Sequence, residues 1–152
     1  MDGFSCILYA AQVKAKFVTG TYTTEEKACK FGYTRSSNCT SCGNGQVEDI
    51  RHIILQCPAL DIPRKIYTQS IAQIVQNNFQ QKVSTDILQN HLLELILDSN
   101  NIIQTYGRTM SKKKIRRFTE QIEPVTRDLI YTLHQQRLRL HPSAGLNVKK
   151  HS

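Results

Sequence analysis

Cys39, Cys42, His52 and Cys57 stand within nineteen residues, spaced Cys-x2-Cys-x9-His-x4-Cys. Thiolate sulfur and imidazole nitrogen are donors that zinc takes, and three of the first with one of the second close a tetrahedral structural site. The first pair falls on a turn followed by Gly43, Asn44 and Gly45, whose backbone freedom suits a chain wrapping an ion. The expected cofactor is one structural Zn2+ per chain. Glu48 lies four residues before His52, one helical turn back on the same face. Two roles are open to it. It accepts a hydrogen bond from the imidazole nitrogen that does not face the metal, as outer carboxylates of metal sites do, or it is a solvated helix residue. Cys6 and Cys29 fall outside the spacing and read as small buried hydrophobes, with Cys29 as an alternative ligand.

The elements that must position these ligands are helices and turns. A helix is expected over 7–18, ended by Gly20, and a second opens at a capping box with Thr23 as N-cap and Glu26 reaching back. Residues 35–45 are polar and turn-rich. A short helix over 46–56 carries His52 and stops before Pro58. Cys57 is five residues past His52, about 140° around an ideal helix. The helix must therefore unwind near its end to aim both side chains at one ion. Pro63 suits the start of the next helix, in which Ile66, Tyr67, Ser70, Ile71, Ile74, Val75 and Phe79 recur at helical spacing. Another helix over 84–97 is capped by Ser84 or Thr85 and broken at 98–101. From Ser111 onward, Ile115, Phe118, Ile122, Val125, Leu129 and Leu133 form a seam that runs through Pro124. It reads as one helix bent there, or as two meeting there, ending near Leu140. The fold class is mainly α: a small Cys3His zinc-knuckle-like module, then a helical bundle or long C-terminal helix. The organisation is 1–62 for the metal module, 63–142 for the helical region and 143–152 for a disordered tail.

Charge is unevenly placed. Of 20 Lys and Arg against 12 Asp and Glu, residues 108–152 hold eleven and three, so the first 107 residues are formally neutral. The excess centres on Arg108, Lys112, Lys113, Lys114, Arg116 and Arg117, with no acidic residue among them. Such a cluster suits the phosphate backbone of RNA or DNA, and it also resembles a nuclear localisation signal. A solvated helix start is the alternative, although cations near a helix N-terminus oppose its dipole. Tyr106 and Phe118 flank the cluster. Both are candidates to stack on bases, and Phe118 also fits the apolar seam. His134 and His141 are seven apart without a further ligand nearby and read as solvated.

Several classes are disfavoured. Four protein ligands leave no open position for a catalytic zinc. The order of ligands is not that of the zinc deaminases. Converging carboxylates for two-metal chemistry and a phosphate-cradling Gly-rich loop are both missing, so no catalytic residue is assigned. No apolar run approaches a membrane span, and no basic-apolar leader opens the chain. Five cysteines without such a leader suggest a reducing compartment. The expectation is an intracellular protein of the nucleus or cytoplasm, neither secreted nor bound to membrane.

Cys39, Cys42, Glu48, His52, Cys57, Pro58 and Arg64 together resemble the zinc-binding segment near the C-terminus of LINE-type non-LTR retrotransposon reverse transcriptases. The lead-in Thr19-Gly20-Thr21-Tyr22 and the aromatic Phe31 resemble that segment too, over roughly residues 10–66. Arg127 and Leu133-His134-Gln135-Gln136-Arg137 resemble such C-terminal tails more loosely. Asp49 departs from the Thr or Ser usual after the Glu, and no Tyr-x-Asp-Asp polymerase signature is present. The resemblance implies a segment that helps hold element RNA or target DNA, with the polymerase part of a parent protein as a further partner. The contrasting expectation is a helical protein-interaction scaffold that zinc merely stabilises.

Overall fold

In a computed structural model that describes residues 3–141, helices dominate. The expected tail at 143–152 lies outside the described residues. Helix α1 spans Gly3–Val18 and α2 spans Glu25–Lys30. A metal-ligand segment follows, then α3 (Asp61–Asn78), α4 (Gln81–Asn90), α5 (Leu92–Leu97), α6 (Ser99–Tyr106) and α7 (Lys112–Leu140). No helix among the described residues is long and apolar enough to cross a membrane.

The seam of α7 organises the rest. Phe118, Ile122, Leu129, Ile130 and Leu133 are all fully buried, at the threes and fours that keep one helical face inward. Pro124 does not divide the helix. It lies on the solvent side with Glu120, the residue whose carbonyl loses its partner, and there water can satisfy that carbonyl. Against this seam pack α3 along its length and α1 from another side. Phe79 meets Phe118 edge to face at 5.0 Å. Polar stitches hold the same interface: Tyr67 to Thr132 at 3.1 Å and Asn78 to Gln121 at 2.9 Å. Lys14 of α1 reaches Glu123 at 2.8 Å and Thr126 at 2.9 Å.

Some boundaries differ from the sequence reading. The N-cap of α2 is Thr24, whose hydroxyl accepts from the Lys27 amide, not Thr23. The stretch 84–97 forms two helices because its apolar stripe is too wide for one face. A break at His91 lets Ile87, Leu95 and Ile96 all become fully buried. Ser84 caps nothing; its hydroxyl donates to the Val75 and Phe79 carbonyls and ties the end of α3 to α4. The 98–101 break also starts α6, with the Asp98 carboxylate accepting from the Asn100 amide. Ile66, one of the residues recurring at helical spacing along α3, points to solvent with Ile62.

Candidate metal centre

Residues 36–49 fold as a tight loop rather than as the start of a helix. Asn38 and Val47 form an antiparallel bridge. The Cys39 amide donates to the Gln46 carbonyl at 2.7 Å, and the Glu48 amide to that of Ser37 at 2.9 Å. Reversing the chain so tightly requires left-handed backbone at Gly43 (φ 64°) and Gly45 (φ 72°), which glycine adopts without a side-chain clash. The expected helix over 46–56 therefore begins only at Ile50.

His52–Gln56 then forms a π turn in which the Cys57 amide donates to the His52 carbonyl at 2.7 Å. A π turn bonds residue i to i+5, so His52 and Cys57 lie one turn apart on one face. The helix widens where unwinding was expected. Pro58 follows and starts a short 3-10 turn, Pro58–Leu60.

The four ligating atoms of Cys39, Cys42, His52 and Cys57 lie within 4.8 Å of one another and could hold a metal ion. Cys39 Sγ is 3.9 Å from Cys57 Sγ, and Cys42 Sγ is 3.6 Å from His52 Nε2. A tetrahedron with metal–sulfur bonds of about 2.3 Å has edges of about 3.8 Å. These two edges are thus at ligand spacing, and all five cysteines are free thiols. Burial raises the Cys39 thiol to about 12 and also pushes the Cys57 thiol up, while it lowers His52. A metal entering this site would displace protons from the sulfurs and meet an already neutral imidazole, so its affinity weakens as pH falls. Cys6 and Cys29 are half-buried rather than core residues, and Cys29 does not join the cluster.

Glu48 is neither solvated nor bonded to the imidazole. It is buried behind Cys39, with Oε2 at 3.6 Å from that sulfur. The Arg137 guanidinium straddles it, Nη2 to Oε1 at 2.5 Å and Nε to Oε2 at 3.2 Å. The Glu25 amide donates to the same carboxylate at 2.9 Å. Arg137 Nη1 also donates to the Tyr22 hydroxyl at 3.4 Å, which leaves the phenol proton for His134 Nδ1 at 2.8 Å. His134 is accordingly buried, against the solvated reading, and burial ahead of the nearby Arg137 and Lys16 charges lowers it to about 4.

Arg64 forms a second clamp. Its guanidinium donates to the Ile54, Ile53 and Cys57 carbonyls at 2.7, 3.2 and 2.9 Å, taking up acceptors that the end of the π turn leaves over. A divalent ion with three thiolates carries about −1, and Glu48 adds another. Arg137 and Arg64 both face this charge, Arg64 being paired as well with Asp61 at 3.6 Å. Sequence reasoning missed the pairing of Arg137 with Glu48, although a cation four residues past Leu133 continues the buried seam and so calls for a buried partner.

The six cations at 108–117 lie elsewhere, all exposed. On α7, Lys112, Lys113, Arg116 and Arg117 span an arc of about 140° opposite the Phe118–Ile122 face. Arg116 pairs with exposed Glu120 at 3.0 Å. Phe118 is fully buried and cannot stack on a base. No protein-family model, curated protein or solved structure matches the chain.

Proposed function

We propose that this chain is a non-enzymatic nucleic-acid-binding module built on one structural Zn2+. The observation that carries this is the division of labour along α7. At its C-terminal end a closed set of four ligands, with both counter-charges supplied internally, has no position for a substrate. At its N-terminal end the cations face water, and among the described residues only Arg116 of the cluster is in an ion pair, with exposed Glu120. Zinc is the ion of choice because thiolate and imidazole at these distances match its preferences. The phosphate backbone of RNA or DNA is the partner that six clustered cations suit.

The resemblance to retrotransposon reverse transcriptases extends this reading. In it the chain is a C-terminal piece of such a protein, working beside a polymerase in the reducing interior of the cell, in nucleus or cytoplasm. It is supported by the roles found for Pro58 and Arg64, both of which shape the ligand-bearing turn.

Metal analysis of purified protein should give about one zinc per chain, and retained zinc in a Cys39→Ser/Cys42→Ser variant would overturn the ligand set. Mobility shift on RNA and duplex DNA across salt should give a log–log slope no steeper than roughly −5. Binding that survives neutralisation of Lys112, Lys113, Lys114, Arg116 and Arg117 would refute the cluster as the contact.

One observation favours a second reading, a zinc-stabilised interaction scaffold. Phe4, Ile7 and Leu8 stand on an outward face of α1 at 74%, 51% and 50% exposure, an apolar surface of the kind that partners cover. In that case no nucleic acid binds even at low salt.

A further inference from the structure

Where the turn between α3 and α4 meets the turn between α6 and α7, a cavity of about 490 Å³ opens beside the cation cluster. Its wall holds three carboxamides, Asn77, Asn78 and Gln80, with the rings of Phe79 and Tyr106 and one charged side chain, Lys114. No acidic residue lines it. Two other cavities of similar size, about 410 Å³ near the metal end and about 400 Å³ beside α1, are lined by carboxylates as well as cations, Glu26 and Asp49 in the first and Glu123 in the second, which disfavours an anionic ligand in either.

The wall is held in shape from behind. Asn78 Nδ2 donates to the Ile74 carbonyl at 2.8 Å and to Gln121 at 2.9 Å. Phe79 leans on Phe118, and Tyr106 sits against His91 with its hydroxyl donating to Asp86. Asn77 and Gln80 are exposed and have rotamer freedom to meet a ligand.

We infer that this cavity takes one unpaired nucleobase of a strand whose phosphates lie on the cation cluster. A carboxamide presents a donor and an acceptor side by side, the pairing needed to read the edge of a base. Aromatic side chains provide a surface on which a base face can rest. Lys114 belongs both to the cavity and to the basic run, so a strand tracking Lys112 to Arg117 passes the opening. Bases stacked in a duplex cannot enter a concave site, whereas an unpaired strand can turn one in. The inference rests on the nucleic-acid reading of the cluster and adds a preference for single strands.

The test is fluorescence anisotropy with the full metal-loaded chain at one fixed salt. The probes are single-stranded RNA, single-stranded DNA of the same sequence, the corresponding duplex, and an abasic strand that keeps only sugar and phosphate. Either unpaired strand should bind about tenfold more tightly than the duplex or the abasic strand. Which of the two binds better reports the sugar. An Asn77→Ala/Gln80→Ala variant, changed only at exposed positions, should keep its circular dichroism and its duplex binding but lose most of the preference. Equal binding of base-bearing and abasic strands, or a preference undiminished in that variant, overturns the cavity inference and leaves the cluster reading standing. Binding of every probe unchanged by neutralising Lys112 to Arg117 overturns both.

Discussion

The two ends of α7 hold cations in opposite circumstances. Arg137 is buried against Glu48 and Tyr22. Lys112 to Arg117, about 30–38 Å away along the helix, stand in water with little internal pairing. A buried charge is retained only with a partner in the same fold, since an uncompensated one costs several kcal/mol. An exposed cluster is under no such constraint, and its partner can be another molecule. Charges counted together in the sequence thus divide into those buried within the fold and those that stay in solvent.

The largest expected effect comes from the proposed zinc ion. Structural zinc supplies on the order of 10 kcal/mol or more of binding free energy to small sites. Chelation, or Cys57→Ser at a fully buried position, should abolish the cooperative thermal transition of the metal end or lower its midpoint by tens of degrees. An unchanged transition after verified metal removal would erase the distinction between the two ends.

Next in size is Arg137→Met. It leaves Glu48 buried without a counter-charge and should cost about 3–5 kcal/mol in denaturant unfolding. Adding Glu48→Gln should restore part of that loss, because the stranded charge is gone. A double variant no more stable than the single one contradicts the pairing account.

His134 gives a smaller, pH-dependent term. Its folded value of about 4 lies below the unfolded 6.5, so between these the unfolded chain binds a proton that the folded one does not. Stability should fall as pH drops from about 6.5 towards 4 and be flat in this respect above 6.5. The slope from one proton is at most about 1.4 kcal/mol per pH unit. His52 is lowered in the same direction, so the informative quantity is the difference between the wild type and His134→Gln. Identical slopes would remove His134 from the account.

Least should happen to stability when Lys113 or Arg117 becomes Gln, within about 0.5 kcal/mol each. Nucleic-acid affinity should fall measurably with the same changes. A loss of stability comparable to that of Arg137→Met would make the two ends alike.

Much of the chain was legible before folding. The Cys3His spacing pointed to the four ligands that the structure brings together. The seam from Phe118 to Leu133 marked the inward face of α7, and the clustering of cations identified its exposed start. Other features escaped for physical reasons. The capping signal around Thr23 and Thr24 is degenerate by one residue, and the structure selects Thr24 because the Glu48 carboxylate takes the Glu25 amide. The π turn was not foreseen because helical periodicity assumes the α repeat. Only the demand that His52 and Cys57 share an ion hinted that the backbone must depart from it.

By itself the sequence determined the donor set, because donor type and short-range spacing survive any arrangement of the rest of the chain. It also determined the helical class, through periodicity that is local in the same way. The tertiary structure alone decided what surrounds the donors. Glu48 and Arg137 are 89 residues apart, and no local pattern records which distant cation will meet a buried carboxylate. That choice follows from the packing of α7 against α1 and α3, where the low dielectric of the interior leaves each buried charge dependent on its partner.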